Sequence, residues 1–345
     1  MAQNLRVLIT GGAGFIGSCF VRGSSEMERF SRIVNVDKLT YAGNLENVQP
    51  VAGDPRYVFV RADITDDQAM DRVFALERPD IVVHFAAESH VDRSILSPAA
   101  AIDTNLGGTF TLLEAARRHP VRQFIHISTD EVYGDLAPPH QADEDYPLRP
   151  SSPYSASKAG SDLLALSYHR TWGLNVTVTR ASNNYGPYQF PEKLIPLMIS
   201  NAIEGKPLPL YGDGLQVRDW LHVEDHCRAI FAIIEKGRPG QIYNIGGNRS
   251  LTNREVVEKI LAATGRSNDL IAHVTDRPGH DRRYALSSAK LERETGWQSR
   301  VSFEEGLGRT VAWYRDNSAW VDRVKSGEYR NWYERNYGAR EVVGR

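Results

Sequence analysis

Four side chains between Asp130 and Lys158 have the types and spacing to do chemistry at carbon. Asp130 and Glu131 are adjacent carboxylates, joined through Thr129 to the apolar run Phe124-Ile125-His126-Ile127-Ser128 and followed by Val132-Tyr133-Gly134. Tyr154 and Lys158 lie four residues apart in Ser152-Pro153-Tyr154-Ser155-Ala156-Ser157-Lys158, a segment that opens a helix. That spacing puts phenol and ammonium on one helix face, one turn apart. A phenol with a pKa of about 10 is a poor base at neutral pH; a neighbouring ammonium favours the phenolate. Two adjacent carboxylates serve as acid and base only where their surroundings hold them in opposite protonation states. Otherwise such a pair caps a helix or lies in a solvated loop. Together the four describe a redox site that also moves protons at carbon. Such a site needs a cofactor.

The elements that would hold one start at the N-terminus. Leu5–Thr10 reads as a strand and runs into Gly11-Gly12-Ala13-Gly14-Phe15-Ile16-Gly17, ahead of a helix pattern. Gly12, Gly14 and Gly17 form G-x-G-x-x-G in the strand–turn–helix context that gives this motif meaning. The glycines permit a tight turn, and the amides at the helix N-terminus suit a pyrophosphate. The next strand, Arg32–Val36, ends at Asp37, where an acidic side chain would hold the adenosine ribose hydroxyls. An Asp there repels a 2′-phosphate and favours NAD over NADP, although Lys38 is its neighbour. Further strands end in polar or small clusters: Tyr57–Val60 before Asp63-Ile64, Ile81–Phe85 before Ala86-Ala87-Glu88-Ser89, and Val176–Arg180 before Ser182-Asn183-Asn184. Helix-like segments, Asp67–Glu77 and Asn105–Arg118 among them, lie between. The expected fold is α/β: a Rossmann-type doubly wound parallel sheet, with ligand outside the carboxyl ends of its strands.

Beyond about residue 183, prolines 187, 191, 196, 207 and 209 break the chain into short pieces. The stretch His222–Glu235 reads as helix, and Gln241–Ile245 as a strand returning to the sheet. The expected division is 1–184 with about 216–248 for the nucleotide domain. Pieces 185–215 and 249–320 form a smaller, discontinuous α/β substrate lobe, and 321–345 a peripheral tail. With 41% apolar and 24% charged residues in 345, the chain has the composition of a soluble globular protein. A net charge of −2 provides no footprint for nucleic acid or an anionic membrane. Two cysteines, Cys19 and Cys227, are too few for a disulfide framework. With no apolar run long enough for a signal or a span, the expected location is the cytoplasm.

These motifs together resemble the extended short-chain dehydrogenase/reductase family, through Thr10–Gly17, Asp63-Ile64 and the Tyr154/Lys158 pair. Within it, Ser128–Gly134, Asp37–Asn44, Ala86–Ser94, Ser182–Gln189, Pro191–Leu194, Arg218–Val223 and Arg277–Ala285 are similar to the signatures of dTDP-glucose 4,6-dehydratases. The resemblance implies an internal redox cycle on bound NAD⁺, with dTDP-glucose as substrate. Tyr154 would take the C4 hydroxyl proton as hydride leaves C4, and Lys158 would assist. Glu131 would take the C5 proton, Asp130 would protonate the departing C6 hydroxyl, and Thr129 would hold the C4 oxygen. It further implies a cofactor site of Gly11, Gly14, Phe15, Ile16, Gly17, Asp37, Lys38, Leu39, Thr40, Asp63 and Ile64. Phe85, Ala86, Ala87, Ser89, Thr104, Tyr154, Lys158 and Asn184 complete that site. A nucleotide diphosphate calls for converging basic groups. Arg218 and either Arg282 or Arg283 are expected there, with Lys193 near the sugar–phosphate junction and Asn183 on the sugar. Ser89, Thr129, Asp130, Glu131, Leu194, Pro209, Asn253, His280, Asp281 and Tyr284 fill out the substrate site, and Tyr211 would stack on the base.

Alternatives remain at this level. A surface arginine usually sits in a solvated salt bridge. UDP-glucose differs from the dTDP sugar by one methyl, worth only about 1–3 kcal/mol in a pocket. A 4-epimerase shares Tyr, Lys and NAD but has no use for Asp130 and Glu131. A non-catalytic NAD-binding scaffold would have lost one of the four groups. His222 and His226 have helical spacing for a metal, yet no third ligand or H-E-x-x-H order accompanies them, so no metal is expected. Cys19 is expected to pack rather than react. The family also implies a homodimer through Asn105–Arg118 and Tyr154–Trp172, and a product that feeds rhamnose or other deoxysugars.

Overall fold

The structure, a computed structural model, describes residues 4–326, 328–337 and 340. Its centre is a seven-stranded sheet of β1 (Leu5–Thr10), β2 (Phe30–Asp37), β3 (Tyr57–Arg61), β4 (Ile81–His84), β5 (Gln123–Thr129), β6 (Val176–Ala181) and, after the lobe strands numbered β7 to β9 below, β10 (Ile242–Ile245). The spatial order is β10-β6-β5-β4-β1-β2-β3, and every pairing is parallel. Strand order reverses between β1 and β4, so the crevice at their carboxyl ends is where a ligand fits. The strands are apolar on both sides because both faces are covered. Val7, Ile9, Ile33 and Ile125 pack on the side of helices Phe15–Ser25 and Val223–Lys236. Leu8, Val34, Val82 and Phe124 pack with residues of Asp67–Glu77, Thr109–Arg118 and Pro153–Trp172 on the other.

The lobe carries β7 (Asn183–Tyr185), β8 (Leu208–Tyr211), β9 (Val217–His222), β11 (Ser250–Thr252) and β12 (Ile271–Val274) in two small sheets, ordered β11-β9-β7 and β12-β8. Its apolar core joins Ile195, Ile199, Leu210, Trp220, Val256 and Ile260. Strand β9 falls within the sequence segment expected for the nucleotide domain, yet it pairs with β7 and β11 of the lobe. His222 therefore ends a strand and accepts from the Glu224 N–H as a helix cap. It is not four residues along one helix from His226.

The stretch beyond 320, expected to be a peripheral tail, is packed in its described part. Helix Glu328–Tyr337 buries Tyr329 and Trp332. The Trp332 ring lies edge-on to His90 at 5.1 Å, and Asn336 donates to the Tyr211 hydroxyl at 2.8 Å. Aromatic anchors spaced 329, 332 and 333 fix this helix despite its surplus of charge; residues 341–345 lie outside the described residues. Trp332→Ala is expected to cost about 3–5 kcal/mol in denaturant unfolding, where a solvated tail residue would cost under about 0.5.

Candidate active site

The crevice opens into a cavity of about 350 Å³ lined by the glycine turn, the ends of β2, β4, β5 and β6, and Tyr154 and Lys158. Gly11 has φ +71°, and a Cβ there would lie 2.6 Å from the Ala86 nitrogen. At Gly17 a Cβ would collide with the Gly11 carbonyl oxygen. The bare backbone thus brings helix Phe15–Ser25 end-on to the cavity, with its free amides exposed to a diphosphate. Gly11→Val is expected to strip the purified protein of bound dinucleotide and to lower its melting temperature, both readable on one preparation.

Asp37 closes β2, where its carboxylate accepts from the Ala13 N–H at 2.9 Å and the Leu39 N–H at 2.8 Å. Burial pushes its pKa up against those two amides. The Lys38 ammonium is held by Asp63 at 2.6 Å, so the neighbouring cation is already committed to a carboxylate. The geometry fits a free ribose diol better than a 2′-phosphate. Gly14, Phe15, Ile16, Thr40, Ile64, Phe85, Ala86, Ala87, Ser89, Thr104 and Asn184 all line the cavity as well. Leu39 does not; at φ +60° it turns the chain away and contributes the amide that orients Asp37.

The catalytic candidates arrive on two elements. Helix Pro153–Trp172 begins with a capping box in which Ser152 and Ser155 satisfy each other's backbone amides, and Pro153 fits the first turn. That start presents Tyr154 and, one turn later, Lys158 to the cavity. Lys158 Nζ donates to the Ile127 carbonyl at 2.6 Å. Burial brings its pKa down to about 8, and the Asp162 charge opposes that fall. The Tyr154 phenol is raised, first by burial and then by Glu131, with a hydrogen bond to Thr129 acting the other way. These surroundings favour the phenol, and forming the phenolate that can accept a proton requires added positive charge beside it.

The second element is the turn Asp130–Tyr133 after β5. The Thr129 hydroxyl caps it, accepting from the Glu131 N–H at 3.2 Å, which leaves the carboxylates free of that role. Asp130 is 2% exposed. Its pKa is raised well above the carboxylate range by burial, then by the charges of Glu131 and Asp219, with Arg218 opposing. These surroundings favour the neutral form of Asp130, the form able to donate. Glu131 is less buried and lines the same cavity. Their environments differ in the sense that a paired acid and base require.

Of the substrate-side residues, Ser89, Thr129, Asp130, Glu131, Asn183, Lys193 and Leu194 line the cavity. Lys193 donates to the Ser89 carbonyl. The others belong to the lobe and are not among the lining residues. Arg218 is buried with its guanidinium 4.2 Å over the Tyr284 ring and donates to the Asp281 carbonyl at 2.9 Å. The Tyr211 hydroxyl donates to Asp92 at 2.8 Å, and its ring is stacked on Tyr337 at 5.9 Å. Pro209 shares β8 with Tyr211, His280 bonds Asp276 at 2.6 Å, and Asn253 is buried at the start of helix Asn253–Thr264. Arg282 is spent on an exposed bridge to Asp213, and Arg283 binds the carbonyls of Leu136 and His140. Sequence reasoning passed over Arg277, whose guanidinium is buried against Asp92 at 3.1 Å and feels the charge of Glu131, as do Arg218 and Lys193. Its place in the Arg277–Ala285 motif is the signal that the sequence carries for it.

His226 lies on the cavity wall, its Nδ1 2.9 Å from Asn184 Oδ1, and burial brings it down to about 3. Among the described residues no group of three His, Cys, Asp or Glu side chains could hold a metal. No described helix is long and apolar enough to cross a membrane.

The GDP-mannose 4,6 dehydratase family model matches residues 8–310. The dTDP-glucose 4,6-dehydratase 1 of Escherichia coli K12 is 52% identical, the alignment covering 98% of this chain and 100% of that one. The dTDP-glucose 4,6-dehydratase of Neisseria meningitidis serogroup B is 54% identical over 94% of this chain and 97% of its own. A dTDP-glucose 4,6-dehydratase from Streptomyces venezuelae, solved with NAD bound, superposes with a TM-score of 0.90 at 51% identity, over 93% of this chain and 100% of that one. The UDP-glucose 4-epimerase of Thermus thermophilus, also with NAD, has a TM-score of 0.84 at 34% identity, over 91% and 100%. With that fold, two adjacent carboxylates at the end of β5, and half its residues shared along nearly its whole length with these enzymes, the chain belongs to the dTDP-glucose 4,6-dehydratase family.

Proposed function

We propose that this protein is an NAD-dependent dTDP-glucose 4,6-dehydratase, a hydro-lyase that converts its substrate to dTDP-4-keto-6-deoxyglucose. The observation that carries the reading is the presence of Asp130, Glu131, Tyr154 and Lys158 on one cavity with the glycine turn. An epimerase needs only the last two. The glycine turn, Asp37 and the ends of β3 and β4 would hold NAD, which when bound would supply the hydride chemistry at C4 and C6. Tyr154 removes the C4 hydroxyl proton, with the Lys158 charge lowering the cost of its phenolate. Thr129 hydrogen-bonds the C4 oxygen and orients the ring. The resulting ketone acidifies the C5 proton, which Glu131 accepts. Asp130, kept protonated by burial, gives its proton to the departing C6 hydroxyl, and water leaves across C5–C6.

Arg218, Arg277 and Lys193 are the groups suited to the diphosphate. Arg218→Lys is expected to raise KM about tenfold with kcat little changed, since a planar bidentate donor is replaced by a point charge. The protein works as a cytoplasmic homodimer: Phe110 and Leu163 are half exposed on helices Thr109–Arg118 and Pro153–Trp172, and Trp172 at the end of the second is exposed too. Covering these side chains is the purpose of the dimer, and light scattering tests it. Mass spectrometry of the nucleotide product tests the activity. Loss of one water from dTDP-glucose, faster than from UDP-glucose, is the expected result; an isomer of unchanged mass would make it an epimerase.

A further inference from the structure

Behind Lys158, away from substrate, the next turn of the same helix carries Asp162, which is fully buried. Lys158 and Asp162 are four residues apart on helix Pro153–Trp172 and face the same strand, β5, at adjacent residues. Lys158 Nζ bonds the Ile127 carbonyl at 2.6 Å, and Asp162 Oδ1 lies 3.3 Å from His126 Nε2. From β6, Arg180 closes the far side of the carboxylate, its Nε 2.9 Å from Asp162 Oδ2. Arg180 is 2% exposed and is held in turn by the Tyr133 hydroxyl at 3.0 Å. A paired charge so deep contributes little net stability compared with an apolar pair of the same volume. Its position under the one cationic catalytic group suggests another purpose.

We propose that Asp162, set in place by Arg180, is a positioning residue whose carboxylate keeps Lys158 cationic and so maintains the base form of Tyr154 within reach. This rests on the proposed role of Tyr154 and Lys158. The titratable groups about Lys158 are Tyr154 and Asp162 on its own helix, His126 on β5, His84 on β4, Arg180 on β6, and Asp130 and Glu131 on the turn after β5. Of these, His84 and His126 are fully buried and held neutral: burial first, then neighbouring positive charge, depresses both. Burial and the charge of Glu131 raise Asp130 and favour its neutral form. Asp162 is depressed by its donors against burial, and its charge is the one that sustains Lys158. Arg180 is cationic and acts in the opposite sense through space, so the carboxylate must outweigh it, which its place one turn from Lys158 allows.

The test is the pH profile of kcat for dTDP-glucose with NAD-loaded protein. The rate falls on the alkaline side as Lys158 loses its proton. Asp162→Asn is expected to move that limb to lower pH by a unit or more, and Asp162→Glu to return it toward the wild-type position. The double variant Asp162→Asn, Arg180→Met leaves no unpaired buried charge, and its limb is expected between those of Asp162→Asn and wild type. A limb that stays at the wild-type pH in a folded variant, with activity reduced evenly across pH, would overturn the proposal. So would failure of both Asn-containing variants to fold with NAD, which would make the pair structural. If the wild-type protein turns over no nucleotide sugar, the reading of the site itself has failed, which the wild-type control reveals separately.

Discussion

Tyr154→Phe is expected to lower kcat by about 10²- to 10⁴-fold while leaving NAD content and the melting temperature close to wild type. The aromatic ring stays, so packing at this buried position is kept; only the oxygen that takes the C4 proton is lost. The effect should reach the first half-reaction: no reduced cofactor accumulates in a stopped-flow trace at the nicotinamide band. Lys158 links the same step to pH. With its pKa near 8, Lys158 is charged below that value and loses its proton as pH rises through it. The rate is therefore expected to decline on the alkaline side from about pH 8. A profile flat to pH 10 would separate Lys158 from the proton transfer.

Glu131→Gln is expected to produce a different lesion of similar size, about 10²- to 10⁴-fold in overall turnover. Oxidation at C4 does not need this carboxylate, whereas removal of the C5 proton does. The variant should therefore take up hydride and stop, with reduced cofactor persisting on the protein and no solvent deuterium entering C5. Asp130→Asn should stall later, since the amide cannot protonate the leaving hydroxyl although it fills the same buried space. Stopped-flow absorbance with deuterium exchange distinguishes the two. Equal loss of the first half-reaction in Glu131→Gln would mean that the carboxylate serves orientation or binding instead.

The parts of this site that lie close in sequence were legible there. A strand, a glycine turn and an acid at the end of the next strand are local features, and each is dictated by what a dinucleotide requires of the backbone. The Tyr154/Lys158 spacing is likewise a property of one helix. What sequence could not order was the lobe, where groups meet across long separations. Arg277, Arg282 and Arg283 are near neighbours in the chain, yet one is buried against Asp92, one is spent at the surface on Asp213, and one ties down carbonyls of a distant loop. Strand β9 lies within the stretch expected for the nucleotide domain yet pairs with β7 and β11, because a short run of residues does not reveal its partner. The stretch after 320 reads as polar, and only the positions of Tyr329 and Trp332 against Pro191 and His90 show that it is anchored. The opposite environments of Asp130 and Glu131 are tertiary as well: Asp219 and Arg218, which act on Asp130, come from β9.

Transfer of hydride within one sugar is the central claim, and its isotope signature is specific. dTDP-glucose carrying deuterium at C4 should, in a single turnover with NAD-loaded protein, lose water and yield a 4-keto sugar with the deuterium at C6. Deuterium still at C4 in an epimer of unchanged mass would contradict the dehydratase cycle, and deuterium released to solvent would contradict a hydride held on the protein.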